Sequence, residues 1–463
     1  MNFDIIVIGS GPGGYVAAIR ASQLGMKAAI VEKAEIGGIC LNWGCIPTKA
    51  LMKSAQAYKY MKHAADYGIK LEGEIKVDFP AIVSRSRGVA EAMSKGVQYL
   101  LKKNNIEVLS GFGKLTSDKK VEVTAQDGSK TIYEAKHIIL ATGARSRELP
   151  ALKQDGKKII GYREAMTLEQ LPESMVVVGS GAIGSEFAYF YNTLGTKVTL
   201  IEFMPNIVPV EDEEVSKQLE RSFKKSGMSV LTSSEVTKVD TSDEKCKVYV
   251  NTKKGEVIID ADIVLSAVGV STNIDDIGLD EAGVAYERSK VLVDEYYRTN
   301  VEGIYAIGDI VRGPALAHVA SHEGIICVEK IAGIDVEPID YGNIPGCTYT
   351  FPEVASVGMT EKAALEAGLE IKVGKFPFTA SGKAKAAGNT DGFVKVIFDS
   401  KTNQCIGVHM IGDNVTEMIA EAVVARNLKV SGHDIIKSVH PHPTMSEAVM
   451  EAVAAAYGEV IHL

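Results

Sequence analysis

One tryptophan, Trp43, and six cysteines are spread through a chain of 463 residues. So few cysteines in so long a chain do not make the disulfide framework of a small secreted domain. Cys246, Cys327, Cys347 and Cys405 lie far apart with no zinc-like spacing, and each reads as a small buried hydrophobe, so no metal site is expected. No window approaches the roughly eighteen uninterrupted apolar residues that span a bilayer. No lysine- or arginine-rich block interrupts a net charge of -9, which argues against nucleic acid or an anionic membrane as the main partner. The N-terminus carries no basic leader, and Asp4 interrupts any signal-like apolar core. The expectation is a cytoplasmic, reducing setting, where a disulfide is more often catalytic than structural.

What is present begins with a βαβ unit. Residues 4–8 (DIIVI) form a short apolar run that reads as a buried parallel strand. The loop Gly9-Ser10-Gly11-Pro12-Gly13-Gly14 follows, then an alanine-rich helix to Gly25 and a second strand over 27–31 that ends at Glu32. Glycines at 9, 11 and 14 suit a tight turn and close backbone approach to a pyrophosphate at a helix N-terminus, and Glu32 stands where a carboxylate accepts from ribose hydroxyls. The unit recurs at an offset of 170: Gly179, Ser180, Gly181, Gly184, Leu194, Gly195, Lys197 and Glu202 repeat Gly9, Ser10, Gly11, Gly14, Leu24, Gly25, Lys27 and Glu32. Two such sites in one chain imply two dinucleotides. A carboxylate at 202 repels a 2′-phosphate, and Phe203, Met204 and Pro205 offer no arginine to receive one, so the second site reads as NAD rather than NADP.

Between the two units lies Gly37-Gly38-Ile39-Cys40-Leu41-Asn42-Trp43-Gly44-Cys45-Ile46-Pro47-Thr48-Lys49. On a regular helix the two cysteine Cα atoms would stand about 8–9 Å apart. A disulfide tolerates only about 4.4–6.8 Å. The pair bridges only if the helix is bent, and Gly44 and Pro47 supply the means; otherwise the two are unrelated reduced thiols.

Each βαβ unit leads into charged helical stretches, alternating strands, and a buried strand that runs into glycine at 143 or 269. A third such strand ends in Gly308-Asp309. Because the second unit precedes that strand, the first domain is discontinuous: 1–147 with 270–340, enclosing 148–269. The acidic run 211–214 reads as the first turn of a helix over 215–226, where negative charge suits the macrodipole, rather than as a cation site. From 341 to 463 there is no third glycine-rich loop, and strands at 344–357, 371–378 and 393–399 with helices at 361–367, 415–428 and 448–456 predict a separate α+β domain. The fold class is therefore α/β, two Rossmann-like dinucleotide-binding domains with a C-terminal α+β domain.

The two glycine-rich units, the CxxxxC after the first, and His442-Pro443…Glu447 near the C-terminus together resemble the flavin-dependent pyridine nucleotide–disulfide oxidoreductases, over nearly the whole length. The resemblance implies FAD in the first unit, with Gly9, Gly11 and Gly14 at its pyrophosphate, Glu32 on the ribose, Asp309 at the ribityl and pyrophosphate region, and Ala315, Leu316, Ala317 and His318 on the flavin side. Gly113, Thr142 and Gly143 belong to matching stretches of the same domain. NAD is assigned to Gly179, Gly181, Gly184, Glu202, Val236 and Gly269. Lys49 is placed near the flavin, paired with Glu186. His442 becomes the base for a dithiol substrate, Glu447 its orienting partner, Cys40 the interchange thiol and Cys45 the thiol facing the flavin; His440 takes a supporting part. The C-terminal domain becomes a homodimer interface, and the substrate a dihydrolipoamide on a separate lipoyl-bearing carrier protein or domain. The sequence leaves open whether His442 acts within its own chain or on its partner.

Three positions depart from the family pattern: Ile39 for threonine, Trp43 for a small aliphatic residue, and Val270 where an arginine usually follows the glycine. Trp43 either narrows dithiol access or packs against neighbouring helices. Rival readings are a glutathione- or mercury-directed reductase and a redox-silent, dinucleotide-binding scaffold subunit. Glu202 counts against glutathione reduction, a tail without a cysteine pair against mercury, and the Cys40–Cys45–His442 set against redox silence.

Overall fold

The computed structural model describes residues 2–463. The chain divides into two compact units, one built from residues 2–51, Pro80–Arg147 and Val270–Ile339, the other from Met52–Phe79, Glu148–Gly269 and Asp340–Leu463.

In the first unit, β1 (Asn2–Ile8) lies at the centre of a parallel sheet. β2 (Ala28–Glu32) pairs on one side, followed by Glu107–Ser110; Lys130–Leu140 pairs on the other, followed by Ile304–Ala306. Successive residues of β1 feed opposite faces: Ile5 and Val7 join Ala17, Ala21 and Ile30 in one core, Ile6 and Ile8 join Val31, Leu115 and Leu140 in another. That is why the strand is apolar without alternation. Between β1 and β2 runs α1 (Pro12–Gln23), started by a proline whose missing N–H costs a helix nothing at that position. It crosses the Ala317–Ile331 helix so closely that a Cβ on Gly324 would stand 2.7 Å from the Gly13 carbonyl oxygen.

Three further helices carry the cysteine segment: α2 (Gly38–Trp43), α3 (Cys45–Lys62) and α4 (Phe79–Lys103). Beyond the buried Phe79 at its start, the buried positions of α4 are Ser86, Ala90, Ser94, Val97 and Leu101, a stripe at helical spacing with serines where its neighbours are backbone carbonyls.

The second unit repeats the βαβ pattern with Ser174–Val178, the Ala182–Leu194 helix and Lys197–Ile201, in a five-stranded parallel sheet. An antiparallel three-stranded sheet (Glu235–Asp240, Cys246–Thr252, Gly255–Ala261) shares its core. The C-terminal part is a five-stranded antiparallel sheet in the order Gly346–Thr348, Glu353–Gly358, Cys405–Gly412, Phe393–Asp399, Ile371–Pro377. The helices Val415–Asn427 and Glu447–Tyr457 share its core. A Cβ on Gly374 would meet the Ala452 carbonyl oxygen at 2.0 Å, so only glycine lets the last helix lie that close to the sheet.

Cys246 and Cys327 are buried as expected, whereas Cys347 and Cys405 are only half-buried. Among the described residues no helix is long and apolar enough to cross a membrane, and no cluster of His, Cys, Asp and Glu could hold a metal.

Candidate active site

The two glycine-rich loops have nearly superimposable chemistry. A Cβ on Gly9 would meet the Ala141 carbonyl oxygen at 2.2 Å, and one on Gly179 the Ala267 oxygen at 2.4 Å. Gly14 and Gly184 each lie against the first glycine of their own loop, with 1.9 Å from the added Cβ to its carbonyl oxygen. Both third glycines are therefore demanded by the fold. Gly11 and Gly181 are different: a Cβ there meets no protein atom within 4 Å. Each is the N-cap of its helix and contributes no side-chain cap. Each helix start is thus uncapped and open on the side of its second glycine, a cradle for a diphosphate. Glu32 Oε2 accepts from the Ser10 amide (3.0 Å) and hydroxyl (2.6 Å), and Glu202 Oε2 from the Ser180 amide (2.8 Å) and hydroxyl (2.6 Å). The serines were visible as an identical pair in the repeat, yet their part in fixing the carboxylates was not.

The cysteine segment hangs from the first of these loops. The Gly37 amide donates to Ser10 Oγ at 3.1 Å, and a Cβ on Gly38 would stand 2.7 Å from the Gly11 Cα. Cys40 and Cys45 form a disulfide with their Cα atoms 4.8 Å apart, within the range a bridge tolerates. The helix is not merely bent but broken: α2 ends at Trp43, Gly44 leaves helical geometry, and α3 starts at Cys45. A side chain at 44 would press on the Ile39 oxygen (3.1 Å) and Cys40 Cα (3.3 Å). Asn42 spans the start of the segment, its amide donating to the Ile36 and Gly38 carbonyls at 3.0 and 2.9 Å. Trp43 packs against its neighbours: its indole donates to Glu35 at 3.1 Å, and the Arg87 guanidinium lies 4.1 Å from its ring centre. Lys49, one turn beyond Cys45, stands on the same helix face.

Elsewhere in this unit Gly308-Asp309 sits on a turn held by Glu323, a buried carboxylate that accepts from the Gly308 amide at 2.6 Å. Sequence reasoning missed Glu323, since nothing local marks it. Burial pushes the Asp309 carboxyl up, against the nearby Lys290 ammonium, whose Nζ donates to the Asp309 carbonyl at 2.5 Å. Thr142 is tied to Asn273, donating to its carbonyl at 2.6 Å, and Gly143 follows in a left-handed turn with room around it. Ala315 to His318 lead into the Ala317–Ile331 helix, whose N-cap Leu316 offers no side-chain cap. Gly113 is enclosed by Ile8 and Val31, each 3.0 Å from an added Cβ.

In the second unit Glu186 is buried on the Ala182–Leu194 helix and accepts from the Tyr349 amide at 3.0 Å. Val236 joins the apolar core beside Val176 and Ile201. Gly269 occupies a left-handed turn with no protein atom near its missing side chain. His442 Nδ1 lies 2.9 Å from Glu447 Oε1, and Glu447 Oε2 accepts from the Thr444 amide at 2.8 Å. Burial opposes ionisation of Glu447, but the Thr444 amide and the His442 ring outweigh it and hold the carboxyl below its ordinary range. A carboxylate on Nδ1 fixes the tautomer and leaves Nε2 to exchange protons, on a side chain that is 78% exposed. His440 is not equivalent: Nδ1 faces the Ser438 carbonyl (2.9 Å) and Nε2 the Glu421 carboxylate (2.7 Å), so both nitrogens are taken. The cysteines and Lys49 belong to the first unit, Glu186 and the histidine–glutamate pair to the second.

Comparison with known proteins agrees with this chemistry. A family model described as pyridine nucleotide-disulphide oxidoreductase matches residues 3–324, and one for the dimerisation domain of the same proteins matches 344–453. A dihydrolipoyl dehydrogenase of Rhizobium etli is 50% identical over 479 aligned positions, covering 100% of this chain and 99% of its own. One of Bacillus subtilis is 42% identical, with 100% and 99% covered. Among solved structures, LpdA from Mycobacterium tuberculosis superposes with a TM-score of 0.90 at 28% identity, covering 97% of this chain and 98% of that one.

Proposed function

The chain belongs to the pyridine nucleotide-disulphide oxidoreductase family, and on that premise we propose that it oxidises carrier-bound dihydrolipoamide with NAD, a reading supported by the name dihydrolipoyl dehydrogenase that the Rhizobium etli and Bacillus subtilis relatives carry. The observation that carries this reading is the Cys40–Cys45 disulfide, suspended by the Gly37–Ser10–Glu32 hydrogen bonds from a loop with space for a diphosphate.

The first loop fits FAD. Gly11 leaves the pyrophosphate its place, Glu32 is fixed for a ribose, and the uncapped end of the Ala317–Ile331 helix offers Ala315 to His318 to the flavin side. The second fits NAD through Gly179, Gly181, Gly184 and Glu202, with Val236 and Gly269 beside it. Burial at Glu202 and the exposed Phe203 and Met204 that follow it give a 2′-phosphate no cation. Residues 1–147 and 270–340 form the FAD-binding domain, 148–269 the NAD-binding domain and 341–463 the dimer interface. Bound FAD supplies the acceptor for the dithiol's electron pair and the donor of a hydride to NAD.

The protein's own residues perform the exchange. His442 Nε2 takes the proton from a substrate thiol while Glu447 orients the ring and stabilises its charged form. The thiolate attacks Cys40 Sγ, the Cys40–Cys45 bond breaks, and Cys45 leaves as thiolate. The second substrate thiol then closes the substrate disulfide and releases Cys40. His442 and Glu447 lie within the stretch that matches the dimerisation domain, which supports a base that serves the partner's cysteines in a homodimer. Lys49, one turn beyond Cys45 on α3, supplies a cation for the flavin ring.

The test is Cys40→Ser and Cys45→Ser. Each should lose dihydrolipoamide–NAD turnover yet keep NADH oxidation by an artificial dye, which needs the flavin and not the cysteines. Dihydrolipoamide turnover surviving either change would sink the proposal.

A further inference from the structure

The disulfide holds Cys40 and Cys45 at 4.8 Å between Cα atoms, whereas a continuous helix would place them about 8–9 Å apart. Once the bond is reduced, nothing in the cysteines themselves opposes healing of the helix across Gly44. In a continuous helix the Asn42 carbonyl would accept from the Ile46 amide, four residues on. In the structure that carbonyl accepts from Arg87 Nη1, at 2.6 Å. The Trp43 carbonyl would call on residue 47, a proline without an N–H. The break is therefore kept open at two successive carbonyls, one by covalent structure and one by Arg87.

Arg87 is itself fixed. Its guanidinium lies 4.1 Å from the centre of the Trp43 ring, and the Trp43 indole is tied to Glu35 at 3.1 Å. Its neighbours on α4 grip the far side of the break: Ser86 Oγ donates to the Pro47 carbonyl at 2.9 Å and Arg85 to the Ala50 carbonyl at 2.8 Å. Two turns further, Ser94 Oγ donates to the Ile36 carbonyl at 2.8 Å. A single helix thus braces the backbone before and after both cysteines.

We propose that Arg87, acting through the Asn42 carbonyl and Trp43, is a positioning residue that keeps Cys40 and Cys45 within bonding reach while they are reduced. The inference rests on the redox reading of that pair. A braced dithiol has a high effective concentration of one thiol for the other and favours re-forming the disulfide; an unbraced one favours staying reduced.

The test uses the FAD-loaded enzyme without NAD, equilibrated anaerobically with dihydrolipoamide and lipoamide in set ratios. Each dihydrolipoamide oxidised delivers two electrons and two protons to the Cys40–Cys45 bond, giving two thiols. These are trapped by acid quench and alkylation and counted by mass spectrometry. Arg87→Met should shift the equilibrium about tenfold towards the dithiol, a potential less negative by about 30 mV for a two-electron couple. Arg87→Lys, which keeps a donor for the Asn42 carbonyl but not the planar stack, should recover part of the shift. If Arg87→Met cannot be isolated with flavin bound, Trp43→Leu decides by the same sign. A variant that tracks the wild type, or shifts towards the disulfide, overturns the inference while leaving the redox reading intact. A wild type that gains no thiols at Cys40 and Cys45 removes both.

Discussion

Gly11 and Gly14 stand three residues apart in one loop and are glycines for different reasons. At 14 an added methyl collides with the Gly9 carbonyl; at 11 it meets nothing in the protein. Gly11→Ala should therefore fold and elute as an apoprotein with a large loss of bound flavin, measured by absorbance near 450 nm. Gly14→Ala should fail at the level of folding. Flavin content in Gly11→Ala equal to the wild type would remove the pyrophosphate from that cradle. Residues of this kind were legible because their chemistry is local: glycine spacing, a carboxylate at a strand end, two cysteines five apart. Ser10, Glu323 and Arg87 were not, because each acts on a carbonyl, amide or carboxylate far away in sequence, and no local pattern marks the partner.

Among elements, the acidic run at 211–214 starts a helix, as its position suggested, with Asp212 as N-cap accepting from the Glu214 amide at 3.1 Å. Its main partner, however, is a cation: the buried Lys395 bonds Asp212 (2.9 Å), Glu214 (3.0 Å) and Glu361 (2.6 Å). That link joins the helix to a strand some 180 residues later and has no signature in sequence. Burial works against the Lys395 charge, and the three carboxylates more than reverse it. Glu211, next in line, lacks such help. Its Oε2 is buried without a hydrogen-bond partner. Burial pushes its carboxyl up to about 7, the Ser356 hydroxyl opposing and the Asp212 charge adding to the shift. Folding thus favours the protonated acid, so this group's contribution to stability is full below its ordinary value of 4.5 and is lost as pH rises towards about 7. Glu211→Gln, which stays neutral, should melt higher than the wild type at pH 8 and close to it at pH 5. An equal difference at both values contradicts an ionising group at 211.

For the whole molecule, the repeat at offset 170 and the change of pattern near 341 made two nucleotide-binding folds and a third, α+β part readable in advance. The repeat is legible because both halves solve one packing problem, a helix N-terminus brought against a diphosphate, with the same few glycines. Whether protomers share a site is not legible, since a base on the same chain and a base on a partner leave identical motifs. Heterodimers of Cys45→Ser and His442→Gln subunits, isolated with two affinity tags, answer it. A base acting on the partner restores one complete site per dimer and should recover up to about half the wild-type rate; a base acting within its own chain recovers none.

At the centre of this chemistry is a dithiol oxidised by the Cys40–Cys45 disulfide, with NAD as final acceptor. The direct measurement is the rate with dihydrolipoamide and NAD set against the rate with glutathione disulfide and NADPH, on the same flavin-loaded enzyme. Turnover is expected with the first pair and little with the second, because a carboxylate at Glu202 disfavours a 2′-phosphate. Preference for glutathione disulfide and NADPH would contradict it.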